Sequence, residues 1–315
     1  MKLFHRIRRS VGALAREVDA RVLPTVEVPK PCRIGLALGG GFARGLAHVG
    51  ILKVLEENGI LPDFIAGTSV GAVIGAAYCS GVSAKELEEL AAIVRFKDFA
   101  RYTISRFGLC TNDRMAGFLR KILKVGTFEE LRIPLAVTAT NFVTGEPVVF
   151  TSGKLIDPVR ASCAYPGVFL PVSVEGKLMV DGLLGHAVPC KPLKDMGADK
   201  VAAVYFKSHW VQKSPRHVLE VIGQCFSIAQ DNMTCLWQAY ADAVIEPDVS
   251  AFAFDDFQKS IDILKIGEEA GRKVLPVFQA WAEQRAAYAA YVQAQPQMPK
   301  PATIGAPLHE PVALA

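Results

Sequence analysis

Apolar residues arrive along this chain in two rhythms. Short unbroken runs of four or five alternate, through the first two-thirds, with longer stretches whose apolar positions recur every three or four residues. The runs read as buried strands and the stretches as helices packed by one face. Residues 34–38 form the first such strand. It runs into Gly39-Gly40-Gly41-Phe42-Ala43-Arg44-Gly45, and the next helix sets Leu46, Val49, Leu52 and Leu55 on one face before Asn58-Gly59 stops it. Residues 63–66 read as a second strand, 72–78 as the start of a second helix and 84–94 as a polar helix. The stretch up to Cys110 carries no clear period, and Asn112-Asp113 then caps a helix running to Lys124. From Ile133 strands take over: 134–141 and 147–151, joined through Thr144-Gly145. A helix over 155–163 leads into the apolar loop 165–171, and 172–175 with 177–180 form a hairpin around Glu175-Gly176. Residues 201–206 read as one more buried strand. Long helical patterns follow over 216–241 and 260–292, separated by a short strand at 243–246. This alternation predicts a layered α/β fold around a mostly parallel sheet, with helices at the C-terminal end.

The two ends stand apart from that pattern. In residues 1–22, Phe4, Ile7, Val11, Leu14, Val18 and Val22 recur at helical spacing, with Arg6, Arg8, Arg9, Arg16 and Arg21 between them. A basic amphipathic helix of this kind either packs on the body of a protein or lies on an anionic membrane surface, and the two are not exclusive. Pro24 to Pro31 punctuates a linker, and residues 294–315, rich in proline and alanine, read as a disordered tail. The expected organisation is an N-terminal segment and linker (1–30), a core domain (31–207), a helical part packed on it (208–293) and the tail (294–315).

Composition narrows the class. Across 315 residues, 51% hydrophobic and 21% charged residues support a substantial core and exclude a largely disordered chain. A net charge of +4 is mild and gives no reason to invoke nucleic acid. The seven cysteines are odd in number, and no two form a Cys-x-x-Cys pair, which suits reduced thiols rather than a disulfide frame or a zinc site. No apolar run approaches the roughly 18 residues of a membrane span, and the basic N-terminus lacks the apolar stretch of a signal peptide. The expectation is a cytoplasmic protein, soluble or attached to the inner face of the membrane.

The chemistry centres on Gly67-Thr68-Ser69-Val70-Gly71, a serine between glycines where a strand turns into a helix. Such a turn exposes the hydroxyl at the helix N-terminus, and the glycines accommodate the strained backbone and keep side chains clear of a substrate. A serine hydroxyl needs a base. Of the six histidines, His5 and His309 fall in the end segments, His48 follows the glycine loop, and His186, His209 and His217 come late. None sits in a recognisable strand-end loop, although chain order alone leaves His209 and His217 open. Asp181, directly after the run Leu178-Met179-Val180 and followed by Gly182, is the better base, because a buried carboxylate touching the hydroxyl can take its proton. An ordinary Asp-Gly turn is the bland alternative. The glycine loop supplies the third element: amides around Gly39, Gly40, Gly41 and Phe42 at a helix start suit an oxyanion, with the Arg44 charge bracing the loop or meeting a substrate anion. A nucleotide loop fits poorly. No Gly-Lys-Ser/Thr follows, and Asp63 opens the second strand where a ribose-binding acid should close it.

Taken together these blocks resemble the patatin-like phospholipase family. The glycine loop with Leu46-Ala47-His48-Val49-Gly50 is similar to its oxyanion loop and first helix, and Gly67 to Gly71 to its nucleophile elbow. Ala161-Ser162-Cys163-Ala164-Tyr165-Pro166-Gly167-Val168-Phe169-Leu170-Pro171 resembles its Ala-Ser-x-Ala-x-Pro-Gly-x-Phe-x-Pro block, and Val180-Asp181-Gly182 stands at its catalytic aspartate. The likeness spans 33–206, and residues 241–248 also look like bacterial members. It implies an α/β/α fold, a Ser69–Asp181 dyad without histidine, hydrolysis of lipid acyl esters, and no metal or cofactor. Two residues depart from the pattern: Phe42 stands where many members have glycine, and Leu183 replaces the glycine usual after Asp-Gly.

The expected reaction is attack of Ser69 on an ester carbonyl, with Asp181 as base and an acyl-serine intermediate. Thr68, Val70, Arg44, Pro166 and Phe169 are the expected substrate contacts, the last two from a loop that lines the acyl site or simply packs in the core. A lipid-binding or regulatory protein that keeps the fold but turns over little is the alternative, and intact Ser69 and Asp181 weigh against it.

Overall fold

The computed structural model describes residues 28–294 except 104, 106–107 and 208–217. The expected N-terminal helix, nearly all of the tail, and His5, His209, His217 and His309 therefore lie outside the described residues.

Among the described residues the strands are β1 (Ile34–Leu38), β2 (Phe64–Thr68), β3 (Arg101–Tyr102), β4 (Cys110–Thr111), β5 (Leu135–Asn141), β6 (Pro147–Phe150), β7 (Val172–Val174), β8 (Lys177–Asp181), β9 (Lys200–Val204) and β10 (Ala243–Ile245). The helices are α1 (Ala47–Glu57), α2 (Val70–Cys79), α3 (Ala84–Ile93), α4 (Asp113–Ile122), α5 (Ile156–Ser162), α6 (Leu183–His186), α7 (Cys190–Asp195), α8 (Val218–Asn232), α9 (Thr234–Gln238) and α10 (Ser260–Ala294). A 3-10 turn over Phe42–Leu46 joins the glycine loop to α1. The main sheet runs β10-β9-β1-β2-β5-β8-β7, with β6 also paired to β5. Pairing is parallel from β10 through β5 and antiparallel among β5, β6, β8 and β7. Helices cover both faces, so β1 and β2 are buried at every position, and this is why each is an unbroken apolar run.

Register places the chemistry. Thr138 of β5 pairs with Thr68 of β2, and the next residue, Ala139, pairs with Asp181 of β8. Both β5 residues also pair with β6, Thr138 with Val149 and Ala139 with Val148. A strand has two edges, so β2 and β8 must share the other one, end to end. The last residue of β8 is thereby delivered to the point where β2 ends and α2 begins.

Several expected boundaries shift for physical reasons. β2 continues through Gly67 to Thr68, leaving Ser69 alone as the turn. Asn112 does stand at the start of α4, but its side chain makes no cap hydrogen bond; it donates to Arg160 O at 2.8 Å. The unpatterned stretch before Cys110 contains a two-stranded ribbon, β3 with β4, of only two residues per strand. The long helical pattern over 216–241 divides into α8 and α9 at Met233. α10 buries Ile263, Leu264, Phe278 and Trp281 in the same core as β1, α1 and α2, so the C-terminal helix is part of the hydrophobic body. Among the described residues no helix is long and apolar enough to cross a membrane, and no cluster of side chains could hold a metal ion.

Candidate active site

Ser69 adopts φ 55° and ψ −124°, a left-handed conformation that costs a side-chain-bearing residue of order 1–3 kcal/mol. Surrounding structure holds it there. Its N–H donates to Ser162 Oγ at 2.8 Å, and its carbonyl accepts from Ala72 and Val73 in the first turn of α2. The flanking glycines serve backbone packing rather than clearance for a substrate. A Cβ on Gly67 would strike Gly71 and Ala72, and one on Gly71 would overlap the carbonyl of Leu38, so α2 can start directly against the ends of β1 and β2 only without them.

Ser69 Oγ donates to Asp181 Oδ2 at 2.8 Å. The other oxygen of that carboxylate accepts Leu183 N–H at 3.0 Å, and the Asp181 carbonyl accepts Thr140 Oγ1 at 3.0 Å. Asp181 is fully buried and Ser69 is 8% exposed. Burial lifts the Asp181 carboxyl from its ordinary value up to about 7, against the opposing pull of the Leu183 and Ser69 hydrogen bonds. Gly182 needs no special backbone freedom, since its φ of −66° is open to any residue. It is glycine because a Cβ would run into Thr138, the neighbour of Ala139 on β5.

The glycine loop leaves fewer than the four amides expected for an oxyanion without a backbone partner among the described residues. Gly39 N–H donates to Val204 O at 3.2 Å and Gly40 N–H to Ala187 O at 3.3 Å, while among the described residues no such backbone partner engages the amides of Gly41 and Phe42. Gly40 still lies against Ser69, since a Cβ there would come within 3.5 Å of the serine Cβ. Phe42 has φ 49°, a conformation glycine would adopt without strain, and its ring is braced edge-on by Tyr165 at 5.2 Å and Phe254 at 5.7 Å. The loop is also tied by His48, fully buried, whose Nε2 lies 2.8 Å from Gly39 O. A carbonyl only accepts, so Nε2 carries the proton; burial holds the ring neutral with a pKa of about 4. His48 thus braces the loop, and neither it nor His186, the other described histidine, takes the hydrogen bond of Ser69 Oγ.

A cavity of about 840 Å³, its open mouth included, extends from Ser69. Its walls are apolar: Val70, Val73 and Ile74 of α2, Leu87, Leu90 and Ala91 of α3, and Met115, Phe118 and Ile122 of α4. Of the expected substrate contacts, Val70 and Phe169 line it, as does Phe42. Thr68, Arg44 and Pro166 do not. Thr68 is fully buried, 2.7 Å from Thr138 Oγ1 and donating to His186 O at 2.6 Å, and so braces the strand end. Arg44 is tucked near Tyr165 with its Nε unpartnered, and burial pushes its guanidinium below the ordinary value, with Tyr165 opposing.

The sequence of blocks along this site matches the profile of the patatin-like phospholipases over residues 36–194. The chain belongs to the patatin-like phospholipase family. Uncharacterized NTE family proteins of Mycobacterium bovis and Mycobacterium tuberculosis are 36% identical over 181 residues, covering 55% of this chain and 48% of theirs. A lysophospholipase of Mycosarcoma maydis is 34% identical over 182 residues, covering 54% of this chain and 9% of that protein. The chain thus spans about half the length of the mycobacterial relatives and a small part of the fungal one. VipD from Legionella pneumophila shares the fold, with a TM-score of 0.53 at 14% identity over 79% of this chain and 67% of VipD. Within this patatin-like site, sequence reasoning missed three supports: Ser162 on the Ser69 amide, the Thr68–Thr138 pair, and His48 on the glycine loop. Ser162 and His48 lay inside the matching blocks; the Thr138 partnership carried no local signal. Cys163 was also overlooked. It lines the cavity together with Ser69, and burial, reinforced by the Asp181 charge, raises its thiol pKa well above the ordinary value.

Proposed function

We propose that the protein is a serine acyl hydrolase that cleaves lipid acyl esters through the Ser69–Asp181 dyad. The observation that carries this reading is the 2.8 Å hydrogen bond from Ser69 Oγ to a buried carboxylate, at the head of an apolar cavity. An acyl chain enters the cavity between α2, α3 and α4, setting its ester carbonyl beside Ser69. Asp181 takes the hydroxyl proton as Oγ bonds to the carbonyl carbon. Charge develops on the carbonyl oxygen, where the amides of Gly41 and Phe42, without a backbone partner among the described residues, can donate to it. Asp181 returns the proton to the leaving alcohol as the carbon–oxygen bond breaks, leaving acyl-Ser69. Water then gives a proton to Asp181 and attacks the acyl carbon, and Ser69 recovers its proton as the fatty acid departs. A carboxyl with a pKa near 7 suits a base and acid in turn.

Support for the substrate class comes from the cavity, whose lining is apolar apart from Ser69 and Cys163. Lysophospholipids and single-chain esters fit it, in keeping with the lysophospholipase name of the fungal relative. A panel of lysophosphatidylcholine, diacyl phosphatidylcholine and p-nitrophenyl esters tests this with wild type and Ser69→Ala side by side. Wild type is expected to release fatty acid and folded Ser69→Ala none; equal release by both rules the mechanism out.

A further inference from the structure

The segment that follows α3 borders the Ser69 cavity on one side and a solvent-facing basin on the other. Val94 and Phe99 line the cavity, Phe257 lines both spaces, and Arg95, Lys97, Arg101 and Arg114 line the basin together with Tyr102. From Ile93 to Arg114 the sequence carries five basic residues against two acidic ones, in a chain whose whole net charge is +4. Among the described residues, guanidinium hydrogen bonds here go to carbonyls rather than carboxylates: Arg95 to Ala92 O and Val94 O, Arg114 to Lys97 O. Three of the nearby acids are already engaged. Asp98 accepts Arg95 N–H at 2.7 Å, Asp113 pairs with Arg160 at 2.9 Å, and Asp256 pairs with Lys259 at 3.1 Å. Asp255 is the acid lining the basin itself.

Large apolar side chains stand exposed on the same segments. Ile93 is 70% exposed, Tyr102 80% and Phe254 49%, and Phe254 packs against Phe42 of the glycine loop. Solvent exposure of an isoleucine and two aromatics beside clustered cations is unfavourable in water alone. It matches a bilayer surface, where a plane of phosphates overlies an apolar layer and a tyrosine ring suits the boundary.

We propose that this face, Ile93 to Tyr102 with Arg114 and Phe254, docks the protein on anionic lipid bilayers, next to the cavity that receives the acyl chain. The proposal takes its lipid class from the hydrolase reading above, but its test does not depend on turnover. Vesicles of equal parts phosphatidylglycerol and phosphatidylcholine, and vesicles of phosphatidylcholine alone, are sedimented with the full chain. The variants are Lys97→Glu/Arg101→Glu, Ile93→Ser/Tyr102→Ser and Ser69→Ala, and thermal melting followed by circular dichroism reports the fold of all three.

Wild type and Ser69→Ala are expected to bind the anionic vesicles alike, and the neutral ones far less. The charge reversal should weaken anionic binding about 100-fold or more, because each cation at such a surface is worth about a factor of five. The apolar pair should weaken it about tenfold. Soluble-ester turnover should stay within about twofold of wild type in both docking variants. Unchanged binding in either docking variant overturns the proposal, and this includes the case in which residues 1–22, present throughout, carry the attachment. Equal binding to neutral vesicles, or no binding to either kind, overturns it too. Loss of ester turnover in wild type would count against the dyad and leave the docking result standing.

Discussion

Replacing Asp181 by asparagine should inactivate the protein and make it more stable at neutral pH. The carboxyl is fully buried, and its pKa is raised from an ordinary 3.8 to about 7. An acid whose folded pKa lies above its unfolded one holds its proton more tightly when folded. Its stabilising contribution is complete below about pH 3.8 and is lost as pH rises through about 7. Between those limits the loss amounts to about 4 kcal/mol, at about 1.4 kcal/mol per pH unit. Asparagine escapes the loss and can keep both contacts, its oxygen accepting Leu183 N–H and its amide donating to Ser69 Oγ. Urea unfolding of wild type and Asp181→Asn at about pH 4.5 and about pH 8 reads the difference directly. We expect near equality at the acidic pH and an advantage of about 2–4 kcal/mol for the variant at the basic one. A variant no more stable than wild type at pH 8, or an advantage that does not change with pH, would refute the claim that Asp181 is a desolvated carboxylate held for chemistry.

Three further outcomes follow from the same geometry. Hydrolysis of a soluble ester should rise with pH through about 7, because only ionised Asp181 accepts the serine proton; a kcat/KM profile flat between about pH 5 and pH 8 would count against that role. Ser162→Ala leaves the buried Ser69 N–H without its acceptor. It should cost about 1–3 kcal/mol in unfolding free energy and lower kcat more than it raises KM, as measured by urea titration and steady-state kinetics. Ala91→Trp places an indole in the α3 wall of the cavity. It should cut turnover of palmitoyl esters at least about tenfold relative to butyryl esters, since the short chain does not need that space.

How legible these features were depended on how local their causes are. β1 coincides with its apolar run, because a parallel strand buried on both faces needs apolar side chains throughout. Ser69 and Asp181 stood out through glycines adjacent in sequence. The reasons for Gly71 and Gly182 did not, because the atoms they avoid belong to Leu38 and Thr138, on other strands. The oxyanion loop shows the same limit: Gly39 and Gly40 look alike in sequence, but their amides are engaged by Val204 and Ala187, far along the chain. Phe42 was visible as a departure from pattern, and its positive φ was not, since bulky residues seldom take one. The acyl wall was sought in the loop around Phe169. Most of it comes from α2, α3 and α4, and of these α3 read as a polar helix in the sequence. The ribbon β3–β4 is too short to leave a period.

The central claim is that Ser69 is a nucleophile activated by Asp181. Reaction of the folded protein with a fluorophosphonate, followed by peptide mass analysis, tests it most directly. The account predicts one adduct, on Ser69, absent from Ser69→Ala and formed far more slowly in Asp181→Asn. An adduct elsewhere with none on Ser69, or equal labelling rates in wild type and Asp181→Asn, would contradict it.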